Sequence, residues 1–163
     1  MTWTPQIIIR LTQLGDIVEL AAVLKPEVSL TQVDQRWQEH QSGYREMLIA
    51  ELDGQVVGTV SIGGHGHQLP DSLRMFPLDV GAKFRRRGVG TALVEAVEEI
   101  ARRQEFQTIT LEVGVENDGA LPMYEQLGYL RLGNPELVRW CSLSDNGKGE
   151  QVEELSRVMT KGL

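Results

Sequence analysis

Leu78 to Ile100 leaves the chain few choices: a strand, a tight basic turn and a helix, in that order. Leu78-Asp79-Val80 closes an extended run, and Val89, Leu93, Val97 and Ile100 recur at helical spacing. Between them lies Arg85-Arg86-Arg87-Gly88-Val89-Gly90, a turn with two glycines and clustered positive charge, to which Lys83 adds. Glycine lets backbone N–H groups approach an anion closely, and the helix dipole favours negative charge at that end. The segment therefore predicts a place for an anionic, phosphate-bearing ligand.

Composition narrows the class. With 163 residues, 41% apolar and 24% charged, the chain suits one soluble globular domain over residues 1–163. It has no run of about 18 apolar residues, so no membrane span is expected. Met1-Thr2-Trp3-Thr4-Pro5 lacks a basic stretch followed by an apolar one, so no secretory signal is expected. Cys141 is the single cysteine, which rules out an intrachain disulfide and makes the reducing cytoplasm the expected compartment. A net charge of −7 argues against nucleic acid as a partner and mildly favours a cationic one.

Gln6 to Leu11 reads as an opening strand, and Asp16 as the cap of a helix that ends before Pro26. Thr31 is read as the cap of a second short helix reaching about His40. Glu46–Leu52 and Gln55–Ile62 read as strands joined by Asp53-Gly54, a type I′ hairpin signal. A loop with His65 and His67 precedes a strand over Ser72–Val80, in which Pro77 predicts a bulge or a lost ladder bond. The basic turn opens a helix from Gly88 to about Gln104, with Glu98 and Glu99 as surface partners of Arg102 and Arg103. Thr108 to Val115 alternates as a strand, and a short helix over about Asp118–Leu127 stops at Gly128. Three strands follow: Tyr129–Leu132, Leu137–Ser142 and Ser156–Met159. The sum is an α+β domain with a mixed sheet.

Two common phosphate motifs fail. A P-loop needs Gly-Lys followed by Ser or Thr, and the dinucleotide fingerprint needs a small residue where Leu93 stands. What remains, Arg85-x-x-Gly88-x-Gly90 between a strand and a helix, resembles the acetyl-CoA pyrophosphate loop of the GNAT family of N-acetyltransferases. Leu111-Glu112-Val113 and Asn117-x-x-Ala120-x-x-x-Tyr124-x-x-x-Gly128-Tyr129 follow in that family's register, so the well-matched region runs from Leu78 to Tyr129. Asp53-Gly54-Gln55-Val56-Val57-Gly58 is similar to the family's second hairpin. The resemblance implies a three-layer fold, a central splayed mixed sheet flanked by helices. In it acetyl-CoA lies between two parallel strands, here those ending near Val80 and Val115. It also implies that the backbone around Leu78, Asp79 and Val80 holds the pantetheine arm. N–H groups from Arg86, Arg87, Gly88, Val89, Gly90 and Thr91, helped by Arg85, would bind the pyrophosphate. Asn117 would contact the arm or an ordered water, with Ala120 and Tyr124 completing the cofactor side.

An amine attacks a thioester only when neutral, and the departing thiolate must be neutralised. Direct transfer therefore needs a base beside the amine and an acid beside the sulfur. By the resemblance Tyr124 is the acid, since a phenol is uncharged at neutral pH and donates there; its other reading is a side chain packing the short helix. Glu112 stands where some protein-acetylating members place a base. Asp79 is the alternative, and either would act directly or through a water; as polar residues on the outer sheet face, neither would take part. His65 and His67 lack a third ligand, so no metal is expected. Cys141 beside Trp140 reads as a small core residue. Three positions depart from the family pattern: Ala82 where a proline is usual, Arg86 where a small residue is usual, and Pro122, which predicts a late or 3₁₀ start to its helix. The acceptor is expected to be a small or peptidic primary amine, walled by residues 24–41, the His65–Asp71 loop and the C-terminal hairpin. The other readings are a CoA-binding sensor without turnover and a nucleotide-binding domain. Homodimers are common among proteins that resemble this one.

Overall fold

Asp53 and Gly54 take φ values of 51° and 84°, the two positive angles that a type I′ turn demands. The turn joins β2 (Arg45–Leu52) to β3 (Gln55–Gly63) with Leu52 opposite Gln55. β1 (Ile7–Leu11) adds antiparallel to β2, and β4 (Ser72–Val80) to β3. The structure is a computed structural model that describes residues 4–63, 70–117 and 119–163; the loop with His65 and His67 lies outside them.

β5 (Thr108–Gly114) runs parallel to β4, and a long hairpin, β6 (Leu130–Leu143) and β7 (Gly149–Gly162), completes the sheet. The strand order is β1-β2-β3-β4-β5-β7-β6. Three expected C-terminal strands are thus two. The expected strands starting at Tyr129 and Leu137 are one strand that begins at Leu130, its register shifts between Leu132 and Glu136, and its partner is far longer than Ser156–Met159. Gly133 at φ 68° and Pro135 look like a break in the sequence, but β7 runs on opposite them and turns the break into a bulge.

Side-chain alternation sorts β2 onto two cores. Met47 and Ile49 meet Leu20, Leu24 and Val33 from α1 (Asp16–Leu24) and α2 (Leu30–Ser42). Leu48 and Ala50 meet Leu93, Val97 and Tyr124 from α3 (Val89–Arg103) and α4 (Ala120–Gln126). Helices therefore cover both faces, and β2 reads as an unbroken apolar run because both its sides are buried. No helix among the described residues is long and apolar enough to cross a membrane.

Local departures have tertiary causes. Asp16 is the first helical residue rather than the cap, and Gly15 holds the cap position. Its carboxylate still closes the turn by accepting the Gln13 N–H at 2.7 Å, while Arg10 grips it with two bonds of 2.7 and 2.8 Å. α2 starts at Ser29 rather than Thr31, because Ser29 Oγ accepts the Gln32 N–H at 3.0 Å and donates to Leu143 O at 2.5 Å. Leu143 N–H returns a bond to Gln32 Oε1 at 3.1 Å, clasping α2 to the end of β6. Glu98 pairs with Arg102 at 3.8 Å and Glu99 with Arg103 at 3.1 Å as expected, but Glu98 is no surface residue: it is 5% exposed and also accepts the Tyr129 hydroxyl at 3.0 Å and Lys161 Nζ at 3.1 Å. The short helix begins at Ala120, with Pro122 inside its first turn, where a missing N–H costs least.

The decisive irregularity is in β4. Gly81 N–H donates to Val57 O at 2.9 Å, and antiparallel ladder bonds recur every second residue. Asp79 therefore bonds Thr59 next, and position 77 would bond Ser61. Proline has no N–H to offer there, and the register slips: Val60 faces Leu78, but Ile62 faces Met75. One extra residue enters β4 at Phe76-Pro77, as expected from the proline. β4 and β5 pair over Ser72–Arg74 and Thr108–Thr110 and then part, which is the splay the sequence resemblance implies.

Arg10 holds the Asp16 carboxyl below its ordinary value of 3.8, against the opposing effect of burial. A depressed folded-state value contributes stability above the unfolded pKa, and that contribution is lost as pH falls through the folded one. Asp16→Asn should cost about 2 kcal/mol at neutral pH. In chemical denaturation the gap between variant and parent should close on acidification below 3.8.

Candidate active site

The parted strands open a cleft of about 930 Å³. Leu78, Asp79, Glu112, Asn117, Ala120 and Tyr124 all line it, so both residues assigned to the chemistry and four of those expected along the pantetheine arm meet in one place. Val80 and the turn from Arg85 to Thr91 lie outside that lining. The turn is nonetheless close: a Cβ on Gly90 would sit 3.4 Å from Met123 Sδ and 3.8 Å from Leu78 Cδ2, both of cleft-lining residues.

The β4 bulge decides which side chains face the cleft. Leu73 and Met75 point to the α3 core, and after the extra residue Leu78 and Val80 do so again. Asp79 is thereby turned toward α2, where Arg36 Nη1 meets its Oδ2 at 2.9 Å. The same ladder logic leaves the N–H and C=O groups of Leu78 and Val80 aimed away from β3, into the opening. Asp79 uses its own backbone in the β3 ladder.

Tyr124 satisfies both of its readings, since it packs in the α3-side core and also lines the cleft. Its ring meets Tyr129 edge-on, centroids 5.7 Å apart. Burial pushes its pKa well above that of an ordinary phenol, and the nearby Asp79 charge pushes it further. Burial and Glu98 raise Tyr129 likewise.

Glu112 faces Arg74 across the strands at 3.4 Å. Arg74 in turn lies over the Phe76 ring at 3.9 Å, and Arg45 lies over the same ring at 4.6 Å while pairing Glu39 at 2.8 Å. Desolvation lowers the Arg45 pKa, and Glu39 offsets part of that. Sequence reading missed these arginines. Arg36 sits on the inward stripe of α2 with Val33 and Trp37, and Arg74 lies between buried Leu73 and Met75; a cation at helix-core or strand-alternating spacing was the available signal.

At the basic turn Gly88 has φ 83° and Arg86 φ 63°. The left-handed value at Arg86 costs about 1 kcal/mol for a residue with a Cβ, the physical reason a small residue suits that position. The N–H groups of Val89, Gly90 and Thr91, first in α3, have no intrahelical acceptor; Ala92 is the first to bond back, to Gly88 O at 3.0 Å. Arg85 pairs with Glu27 and reaches Val80 O at 3.4 Å, and Arg87 lies over the Phe84 ring. Asn117 Oδ1 accepts the Ala120 N–H at 3.3 Å and so caps α4 from the cleft wall. Cys141, expected in the core, is exposed and lines the cleft, because its strand lies at the open edge of the sheet.

The sequence profile described as "Acetyltransferase (GNAT) family" matches residues 14–129. The chain belongs to this family. Two curated relatives are similar to it: the mouse "Probable N-acetyltransferase family 8 member 5", 33% identical over 99 residues, and the rat "N-acetyltransferase 8", 33% over 98 residues. Each alignment covers 56% of this chain and 43% of the relative, so the chain spans less than half of either. Among solved structures, a ribosomal-protein-alanine N-acetyltransferase from Brucella melitensis superposes with a TM-score of 0.69 at 20% identity, covering 96% of this chain and 99% of that one. The ribosomal-protein-S18-alanine N-acetyltransferase of Escherichia coli gives 0.70 at 17% identity, with 96% and 94% covered. These likenesses establish the α+β GNAT fold with its splayed sheet.

Removing the Asp79 charge should bring the Tyr124 pKa down while Tyr129 stays raised. Ultraviolet titration of Asp79→Asn with and without Tyr124→Phe isolates that tyrosine; an unchanged titration would show the two groups uncoupled.

Proposed function

We propose that this protein transfers the acetyl group of acetyl-CoA to a primary amine by direct attack within a ternary complex. The observation that carries the reading is the splay itself, which gathers Tyr124, Asp79 and Glu112 on one cleft with the start of α3 at its rim. The printed names of the curated relatives, both N-acetyltransferases, support the same chemistry.

The residues fit the cofactor. N–H groups of Val89, Gly90 and Thr91 without an intrahelical acceptor suit a pyrophosphate, and Arg85, Arg86 and Arg87 bring positive charge to it. The N–H groups of Leu78 and Val80, aimed away from β3, are placed to bond an extended pantetheine arm as a further strand would. Asn117 and Ala120 wall that side. Acetyl-CoA supplies the activated acetyl thioester. Tyr124 donates to the sulfur as it leaves, and its raised pKa keeps it a phenol while it does so. Glu112 takes the proton from the attacking amine, directly or through a water; Asp79, paired to Arg36, is second choice.

At about 100 times its dissociation constant acetyl-CoA should stabilise the fold by roughly 2.7 kcal/mol, a Tm rise of about 5–10 °C. Gly88→Val should abolish that rise and leave the unliganded protein folded. The nearest atom to an added Cβ is Ile7 Cδ1 at 4.0 Å, so the change strains only the turn. Equal protection of variant and parent in thermal unfolding would put the ligand elsewhere.

Tyr124→Phe should lower kcat about a hundredfold with little change in KM, read as thiol release with a panel of amines. In the parent the rate should not fall as pH rises through 10.0, where an ordinary phenol titrates. An alkaline limb that disappears in Tyr124→Phe would overturn the assignment.

A further inference from the structure

Five acidic side chains line the cleft: Glu27, Glu39, Asp79, Glu112 and Glu154. Four of them face an arginine, respectively Arg85, Arg45, Arg36 and Arg74. Glu154 is different. Among the described residues it has neither a hydrogen-bond nor an ion-pair partner, although it is half-buried. A half-buried carboxylate without a counter-charge is costly, and this one is given its room by a glycine: a Cβ on Gly114 would fall on the Glu154 carboxylate itself.

That glycine fixes where the charge lies. Glu112 and Gly114 alternate along β5 and so share a face, about 7 Å apart. The Glu154 carboxylate therefore rests on the cleft side of β5, one step beyond Glu112. Its surroundings come from the hairpin: the pairs Val138–Glu154 and Trp140–Val152 put all four side chains on one face, and all four line the cleft. Trp140, diagonal to Glu154 and 42% exposed, offers an aromatic face beside the carboxylate.

We propose that Glu154 and Trp140 form a subsite for a cation carried by the acceptor, so that the preferred acceptor bears a second positive group besides the amine that is acetylated. This rests on the acetyltransferase reading. An ammonium held against an unpaired carboxylate is stabilised in its charged form and is a poor nucleophile. Glu154 is thus suited to the group that anchors the acceptor, and Glu112 to the one that reacts.

The test pairs linear diamines, such as putrescine and cadaverine, with butylamine and pentylamine of equal chain length. The parent should favour each diamine by about tenfold or more in kcat/KM. Glu154→Gln should erase that preference by raising KM for the diamine, leaving the monoamine rates and the acetyl-CoA thermal shift unchanged. A preference that survives the substitution, a parent with no preference, or a kcat that falls equally for both amines would each overturn the subsite. Should no amine accelerate thiol release, the acetyltransferase reading fails separately. Calorimetric titration of cadaverine into CoA-loaded protein then decides the subsite: binding lost in Glu154→Gln upholds it, and equal or absent binding refutes it.

Discussion

Proline at position 77 cannot donate to the ladder, and much of the molecule's geometry follows from that missing hydrogen bond. Three consequences are separate in kind. The slip in register adds a residue to β4, which bends the strand away from β5 and makes the cleft. The parity of the strand changes, so Asp79 faces α2 instead of the α3 core. The outward amides of Leu78 and Val80 are left beside an opening where a sheet would normally continue. A proline at most other strand positions would weaken a sheet; at this one it shapes a binding gap without disturbing the three rungs that still join the two halves.

Apart from Glu154, the carboxylates lining the gap are set in opposed pairs with arginines. Arg36, Arg45 and Arg74 are drawn from a helix and two strands, and each is matched with a carboxylate from a different element. Burying an arginine is tolerable only when such a partner is fixed nearby, and Phe76 adds a flat surface for two of the three. On the far side, Glu98 draws Tyr129 and Lys161 together under α3. Tyr129 then braces Tyr124 edge-on, so a buried ion cluster reaches the cleft through two rings packed edge to face.

What the sequence made readable was local. The glycine turn before α3, the Asp53-Gly54 hairpin, the alternation of β5 and the proline bulge are each decided within a few residues, and each appears where expected. What it hid was decided by partners far along the chain. Ser29 caps α2 instead of Thr31 because Leu143, 114 residues away, uses its hydroxyl as well. Glu98 has the spacing of a surface pair, and nothing local reveals that Tyr129 and Lys161 close over it. Gly133 and Pro135 look like a strand end unless β7 is known to continue opposite. Cys141 beside a tryptophan suggests a core, but an edge strand has no neighbour to bury it. Of the cleft residues, the family-like motif brought out Tyr124, Glu112 and Asn117, whereas the paired arginines are visible only once strands and helices are packed.

The clasp between Ser29, Gln32 and Leu143 has a mechanical meaning. The two halves of the sheet share a short parallel seam at one end, and at the other the clasp ties α2 to the tip of the hairpin. A frame fastened at both ends resists being wedged wider. Room for a guest between the halves is then set in part by side chains such as Met123 and Trp140, which line the cleft from α4 and β6.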